Sequence, residues 1–109
     1  MDENSSPARI LMTTFPDLEQ AKQVAKTIVT NKLAACINIL PKMTSIYQWQ
    51  GNLEEGEELM LVIKTEVDCI DKLQKTILEM HPYELPEIVV VPIVGGHTPY
   101  LDWIGESVR

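Results

Sequence analysis

Few side chains here could do chemistry, and their types narrow what that chemistry would be. The chain has two histidines, His81 and His97, two cysteines, Cys36 and Cys69, and two arginines, Arg9 and Arg109. A lone loop histidine more often caps or faces water than binds a ligand, but imidazole suits copper, so His81 is a candidate ligand with the thioether of Met80 beside it. Glu54, Glu55, Glu57 and Glu58 form an acidic run; such a run is usually a solvated face, with a cation patch as the sharper reading. Lys64 ends an apolar stretch, either as an exposed terminal lysine or as a partner for Glu58 or Glu87 in a cleft. Lys64 and Glu87 would be the acid/base candidates of an enzyme, but the chain has no G-x-S-x-G, P-loop or H-E-x-x-H motif, so no reaction is named.

Composition removes several partner classes. The formal net charge is −7 over 109 residues, which disfavours nucleic acid and anionic membrane surfaces. The cysteines form no C-x-x-C pair and no disulfide framework; each lies in apolar company, as free thiols do in a reducing cytosol. Residues 1–7 are polar with no apolar signal segment, and the longest apolar stretch, Ile88 to Val94, is too short to span a bilayer. The expectation is a cytoplasmic protein with a disordered tail over 1–7 and a single domain over 8–109.

The elements that would hold these side chains follow from hydrophobic period. Ile10 to Met12 begin a strand that ends at Thr13-Thr14-Phe15-Pro16. Asp17 with Gln20 three residues on is a capping-box signature, and Ala21, Val24, Ala25, Ile28 and Val29 predict a helix over 18–31. Leu33 to Trp49 reads as a strand interrupted at Pro41. Ile46-Tyr47-Gln48-Trp49 places large residues at both parities, which suggests that both faces are covered. Gln50-Gly51-Asn52 is a turn, and Leu53 to Thr65 returns as the hairpin's second strand. Asp68 is the expected N-cap of a helix running to about residue 80 through Ile70, Leu73, Ile77 and Met80. His81 to Pro86 is a loop, Ile88 to Val94 a strand, and Thr98-Pro99 an N-cap with proline at the first position of a last helix.

This order predicts an α+β fold: a ferredoxin-like split βαββαβ antiparallel sheet with a C-terminal helix. Proline removes a ladder donor and is confined to edges or bulges, so Pro41 and Pro92 mark the second and fourth strands as the edges. The 17 residues from Leu33 to Trp49 would span about 56 Å as a strand, against a diameter of about 34 Å for a domain of this size. The hairpin should therefore overhang its own domain, and pairing with a neighbouring copy would cover its edge. Length alone does not choose between a dimer and a trimer.

Fold-level relatives with known sites fit poorly. The loop after the first strand lacks the C-x-x-C of metallochaperones and the arginine of acylphosphatases. The first and third strands carry aliphatic residues where RNA-recognition domains carry stacking aromatics.

A different resemblance covers residues 8 to 109. Six motifs stand in order: Thr14-Phe15-Pro16-Asp17; Leu33-Ala34-Ala35-Cys36-Ile37-Asn38; Ser45-Ile46-Tyr47-Gln48-Trp49-Gln50-Gly51; Glu58 with Ile63-Lys64-Thr65; His81-Pro82-Tyr83-Glu84-Leu85-Pro86-Glu87; and Tyr100-Leu101-Asp102-Trp103. The set resembles the CutA family of divalent-cation tolerance proteins. The resemblance implies a cytoplasmic homotrimer with strand exchange and a link to copper or another divalent cation. It also implies a likeness to PII signalling trimers, with a small-ligand cleft between subunits matched here by Cys36, Trp49, Glu58, Lys64, Tyr83 and Glu87. Some members bind copper through a first-strand cysteine and a His-His pair before Pro-Tyr; here those positions hold Thr13 and Met80-His81. The leading expectation is a non-enzymatic trimer that binds metal weakly through His81 and Met80. The second is a PII-like module that binds a small anion, and the third is a structural trimer scaffold.

Overall fold

The computed structural model describes residues 6–109; residues 1–5 of the expected tail lie outside the described residues. The elements are β1 (Ala8–Phe15), α1 (Leu18–Thr30), β2 (Cys36–Trp49), β3 (Asn52–Glu66), α2 (Ile70–Met80), β4 (Ile88–Pro92) and α3 (Thr98–Ser107). All four strands form one antiparallel sheet in the order β2-β3-β1-β4. The proline argument holds: Pro41 and Pro92 sit on the two edge strands, and the central pair carries none.

Strand parity separates the sheet's faces. Leu11, Phe15, Leu61 and Ile63 point to one face and are fully buried under Val24 and Ile28 of α1 and Leu73 and Ile77 of α2. Each such side chain contributes roughly 1.5–3 kcal/mol of burial. The other face carries Ile10, Met12, Leu40, Met60, Val62 and Val89, all half-buried or exposed. α3 approaches that face with Ile104 and Gly105 buried near the Glu66 end, and the loop after α2 reaches its Glu58 end through Tyr83.

Asp17 caps α1 as expected, its Oδ2 accepting from the Gln20 amide at 3.0 Å. The end of α1 explains why β2 begins at Cys36 rather than Leu33. Lys32 takes φ +58°, its N–H donates to Val29 O, and the Leu33 N–H donates to Ile28 O, both at 3.0 Å. This is a Schellman cap with lysine in the left-handed position usually held by glycine, and it uses the residues that sequence reading gave to the strand. Two expected caps are also corrected. Asp68 lies inside a 3₁₀ turn, Val67–Cys69, and makes no capping bond; α2 starts after Cys69. At α3 the N-cap is His97, with Thr98 already helical and Pro99 in the first turn. β4 ends at Pro92, two residues before Val94, although the Ile93 N–H still reaches Ala8 O.

The hairpin overhangs. Its strands run 14 and 15 residues, and the molecule measures 44 × 31 × 23 Å. Trp49 pairs with Asn52 across Gln50 and Gly51, whose φ values of +53° and +84° are those of a type I′ turn. Between Leu40 and Met43 the register slips: Leu40 opposes Met60 and Met43 opposes Glu58, so Pro41 and Lys42 together face Leu59. This bulge moves the open face of β2 from even to odd positions. Leu40, Tyr47 and Trp49 therefore share one face, while Ile46 and Leu53 lie exposed on the other.

Candidate functional site

The distal hairpin (the arm) and the loop after α2 together line a cleft of about 690 Å³. The arm contributes Ser45, Tyr47, Trp49 and Glu58, and the loop contributes Tyr83, Glu84, Leu85 and Glu87. Tyr83 spans the two, its hydroxyl donating to Glu58 Oε2 at 2.9 Å. Partial burial and then this bond to the carboxylate push the Tyr83 phenol up to about 12. Tyr83 thus stays protonated and a hydrogen-bond donor across the whole neutral range.

His81 fixes the loop. The Tyr83 amide donates to His81 Nδ1 at 3.1 Å, so Nδ1 carries the lone pair. Nε2 must then hold the proton, and it donates to Thr14 O at 2.7 Å. The ring also packs on Phe15, with centroids 4.2 Å apart, and on Tyr83 at 4.9 Å. Both nitrogens of the expected copper ligand are engaged within the chain. Met80 packs against the core cluster, and Thr13 is fully buried with no partner for its hydroxyl. Among the described residues, no three His, Cys, Asp or Glu converge to hold a metal. The residues present in one chain do not make a preformed copper site.

The six residues expected in a cleft between subunits fall into two groups within one chain. Trp49, Glu58 and Glu87 line the cleft with Tyr83. Cys36 and Lys64 lie apart, opposite each other in the β2–β3 register. Lys64 pairs with neither Glu58 nor Glu87. Its Nζ donates to Asn38 Oδ1 at 2.6 Å and lies 5.9 Å from the centroid of the Tyr100 ring on α3. Cys36 and Cys69 are both free thiols, half-buried. Of the acidic run only Glu58 lines the cleft; Glu54, Glu55 and Glu57 are exposed along the arm. Sequence reading missed the cleft roles of Ser45, Tyr47 and Glu84. Strand alternation alone puts Ser45 and Tyr47 on the face of Trp49.

The chain matches the family profile described as CutA1 divalent ion tolerance protein over residues 9–107. This chain belongs to the CutA family. It is 45% identical over 98 residues to the divalent-cation tolerance protein CutA of Thermus thermophilus, covering 90% of this chain and 95% of that one. A solved structure of the Thermus thermophilus protein superposes with a TM-score of 0.91 at 43% identity, covering 94% and 99% of the two chains. The periplasmic divalent cation tolerance protein CutA of Archaeoglobus fulgidus gives a TM-score of 0.90 at 34% identity, covering 94% and 99%. The CutA homologue of Xenopus laevis is 44% identical over 95 residues, 87% of this chain and 63% of its own longer length. The mixed α+β fold of four antiparallel strands agrees with these likenesses. Among the described residues no helix is long and apolar enough to cross a membrane.

Proposed function

We propose that this CutA-family chain works as a cytoplasmic homotrimer of the divalent-cation tolerance type, in which contact with copper or another divalent cation is weak. The observation that carries the assembly is the bare sheet face and arm. Leu40, Ile46 and Leu53 are 46%, 66% and 75% exposed, on a strand ladder whose outer edge has no partner among the described residues. A long apolar edge of this kind is an aggregation hazard unless another copy covers it. Rotational closure then makes the assembly finite.

Metal contact is weak because His81 can bind only by giving up a bond to Thr14 or to the Tyr83 amide. Met80 is committed to packing and Thr13 supplies no thiolate. The second expectation, a PII-like anion module, would need Lys64 brought to the cleft across a subunit boundary, since no Lys or Arg of the same chain lines it. Calorimetry with Cu(I) and Cu(II) on the parent, His81→Ala and Met80→Leu tests the metal reading. Weak binding that His81→Ala abolishes is expected. Tight binding, or equal binding by His81→Ala, contradicts it.

A further inference from the structure

Beyond the last β1 rung, Phe15 opposite Leu59, β3 keeps only β2 as a neighbour, and the four-stranded sheet becomes a two-stranded arm. The bulge at Pro41 and Lys42 faces that same Leu59, and Met43 opposite Glu58 is the first regular pair beyond it. A bulge bends its strand and interrupts the ladder, and a two-stranded hairpin without a core is marginally stable in water. Backbone pairing alone therefore fixes the arm's direction least firmly at this junction.

A chain of side-chain contacts crosses the junction. Thr14 is one residue past the last β1–β4 rung, Thr13 opposite Ile88, and its carbonyl accepts from His81 Nε2 at 2.7 Å. His81 Nδ1 accepts from the Tyr83 amide at 3.1 Å, and the Tyr83 hydroxyl donates to Glu58 Oε2 at 2.9 Å. The His81 ring packs on both Phe15 and Tyr83, with centroids 4.2 and 4.9 Å away. The contacts thus start on the last two residues of β1 and end on the first paired arm residue of β3. All of them lie within one chain, and none needs a free surface.

We propose that the loop 81–87 is a brace that fixes the angle of the arm and so pre-organises it for contact with another copy of this chain. Ordering a loose segment at the moment of association costs free energy, and a segment already held avoids that cost. His81 and Tyr83 are positioning residues in this role: they set where the arm points and need not meet the neighbour themselves. The proposal rests on the homotrimer reading.

The test uses the full-length protein and two readouts. One is hydrogen exchange of residues 43–57. The other is the mass by light scattering across a guanidinium series, which reaches dissociation however tight the assembly. Tyr83→Phe removes only the hydroxyl. It should speed arm exchange about five- to tenfold and lower the guanidinium concentration at which the mass falls to one chain. Exchange in α1 and β1 should not change. Glu58→Ala should reproduce both effects, and combining it with Tyr83→Phe should add nothing further. Glu58→Gln keeps an oxygen acceptor and should lie between the parent and Tyr83→Phe. Additive effects of Tyr83→Phe and Glu58→Ala overturn the proposal, as does parent-like arm exchange in Tyr83→Phe. Faster arm exchange with unchanged assembly overturns the link to assembly. A parent of one-chain mass before any guanidinium is added overturns the homotrimer reading, whereas an assembled parent with an unaffected Tyr83→Phe overturns the brace alone.

Discussion

The two ends of the β2–β3 hairpin share one hydrogen-bonded ladder but not one environment. At the base, Leu61 and Ile63 are fully buried beneath α1 and α2. Toward the tip, every residue from 46 to 55 is exposed, large apolar ones included. The base is held by a core, whereas the tip is held by backbone pairing and a tight turn. Backbone pairing specifies register but contributes little net burial. The arm's apolar and aromatic side chains are thus explained by what the arm contacts, either a ligand in its cleft or another copy of the chain, and the base by what it covers.

Substitutions should separate the two regions. The largest expected effect is in the base: Phe15→Ala, at a fully buried site, should cost about 3–5 kcal/mol in denaturant unfolding. The matched arm change Leu53→Ala, at 75% exposure, should stay within about 0.5 kcal/mol for folding of the protomer. A large loss from Leu53→Ala at protein concentrations below assembly would break the comparison.

Gly105→Ala should cost about 1–3 kcal/mol, because an added Cβ would stand 2.7 Å from Glu66 Oε2. That carboxylate is buried and paired with Arg109 at 3.0 Å, so the collision displaces the contact that ties α3 to the sheet. Thr13→Val should leave stability unchanged or raise it by about 1 kcal/mol, since it removes a buried hydroxyl without a partner while keeping the shape. A loss would show that the hydroxyl is satisfied by something outside the chain, such as a water.

The smallest effect concerns the cleft. The Tyr83 phenol is raised from 10.0 to about 12 in the folded chain. The stability it contributes is therefore fully present below pH 10 and is lost as pH rises through about 12. The stability advantage of the parent over Tyr83→Phe should shrink across that window. A constant difference would mean that neither burial nor the bond to Glu58 raises the phenol.

Much of the base was legible in the sequence, because its signals are local and periodic. Asp17 caps as read, the helical spacings of α1 and α2 hold, and Pro41 and Pro92 fix the edges. The errors lie where backbone geometry departs from period without a glycine to announce it. Lys32 adopts a left-handed cap, and Lys42 takes φ +29° in the bulge. That bulge changes which arm residues share a face with the base of β2, joining Tyr47 and Trp49 to the face of Leu40. Lys64 reads from sequence either as an exposed terminal lysine or as a partner of Glu58 or Glu87; within one chain its partner is Asn38, 26 positions away across the β2–β3 pair.

The central claim is that the bare arm and open sheet face are completed by other copies of this chain. Light scattering coupled to size exclusion at low micromolar concentration measures this directly. A mass about three times the 12.3 kDa of one chain is the expected result. A mass of 12.3 kDa would contradict it, leaving a stable monomer with an uncovered apolar edge.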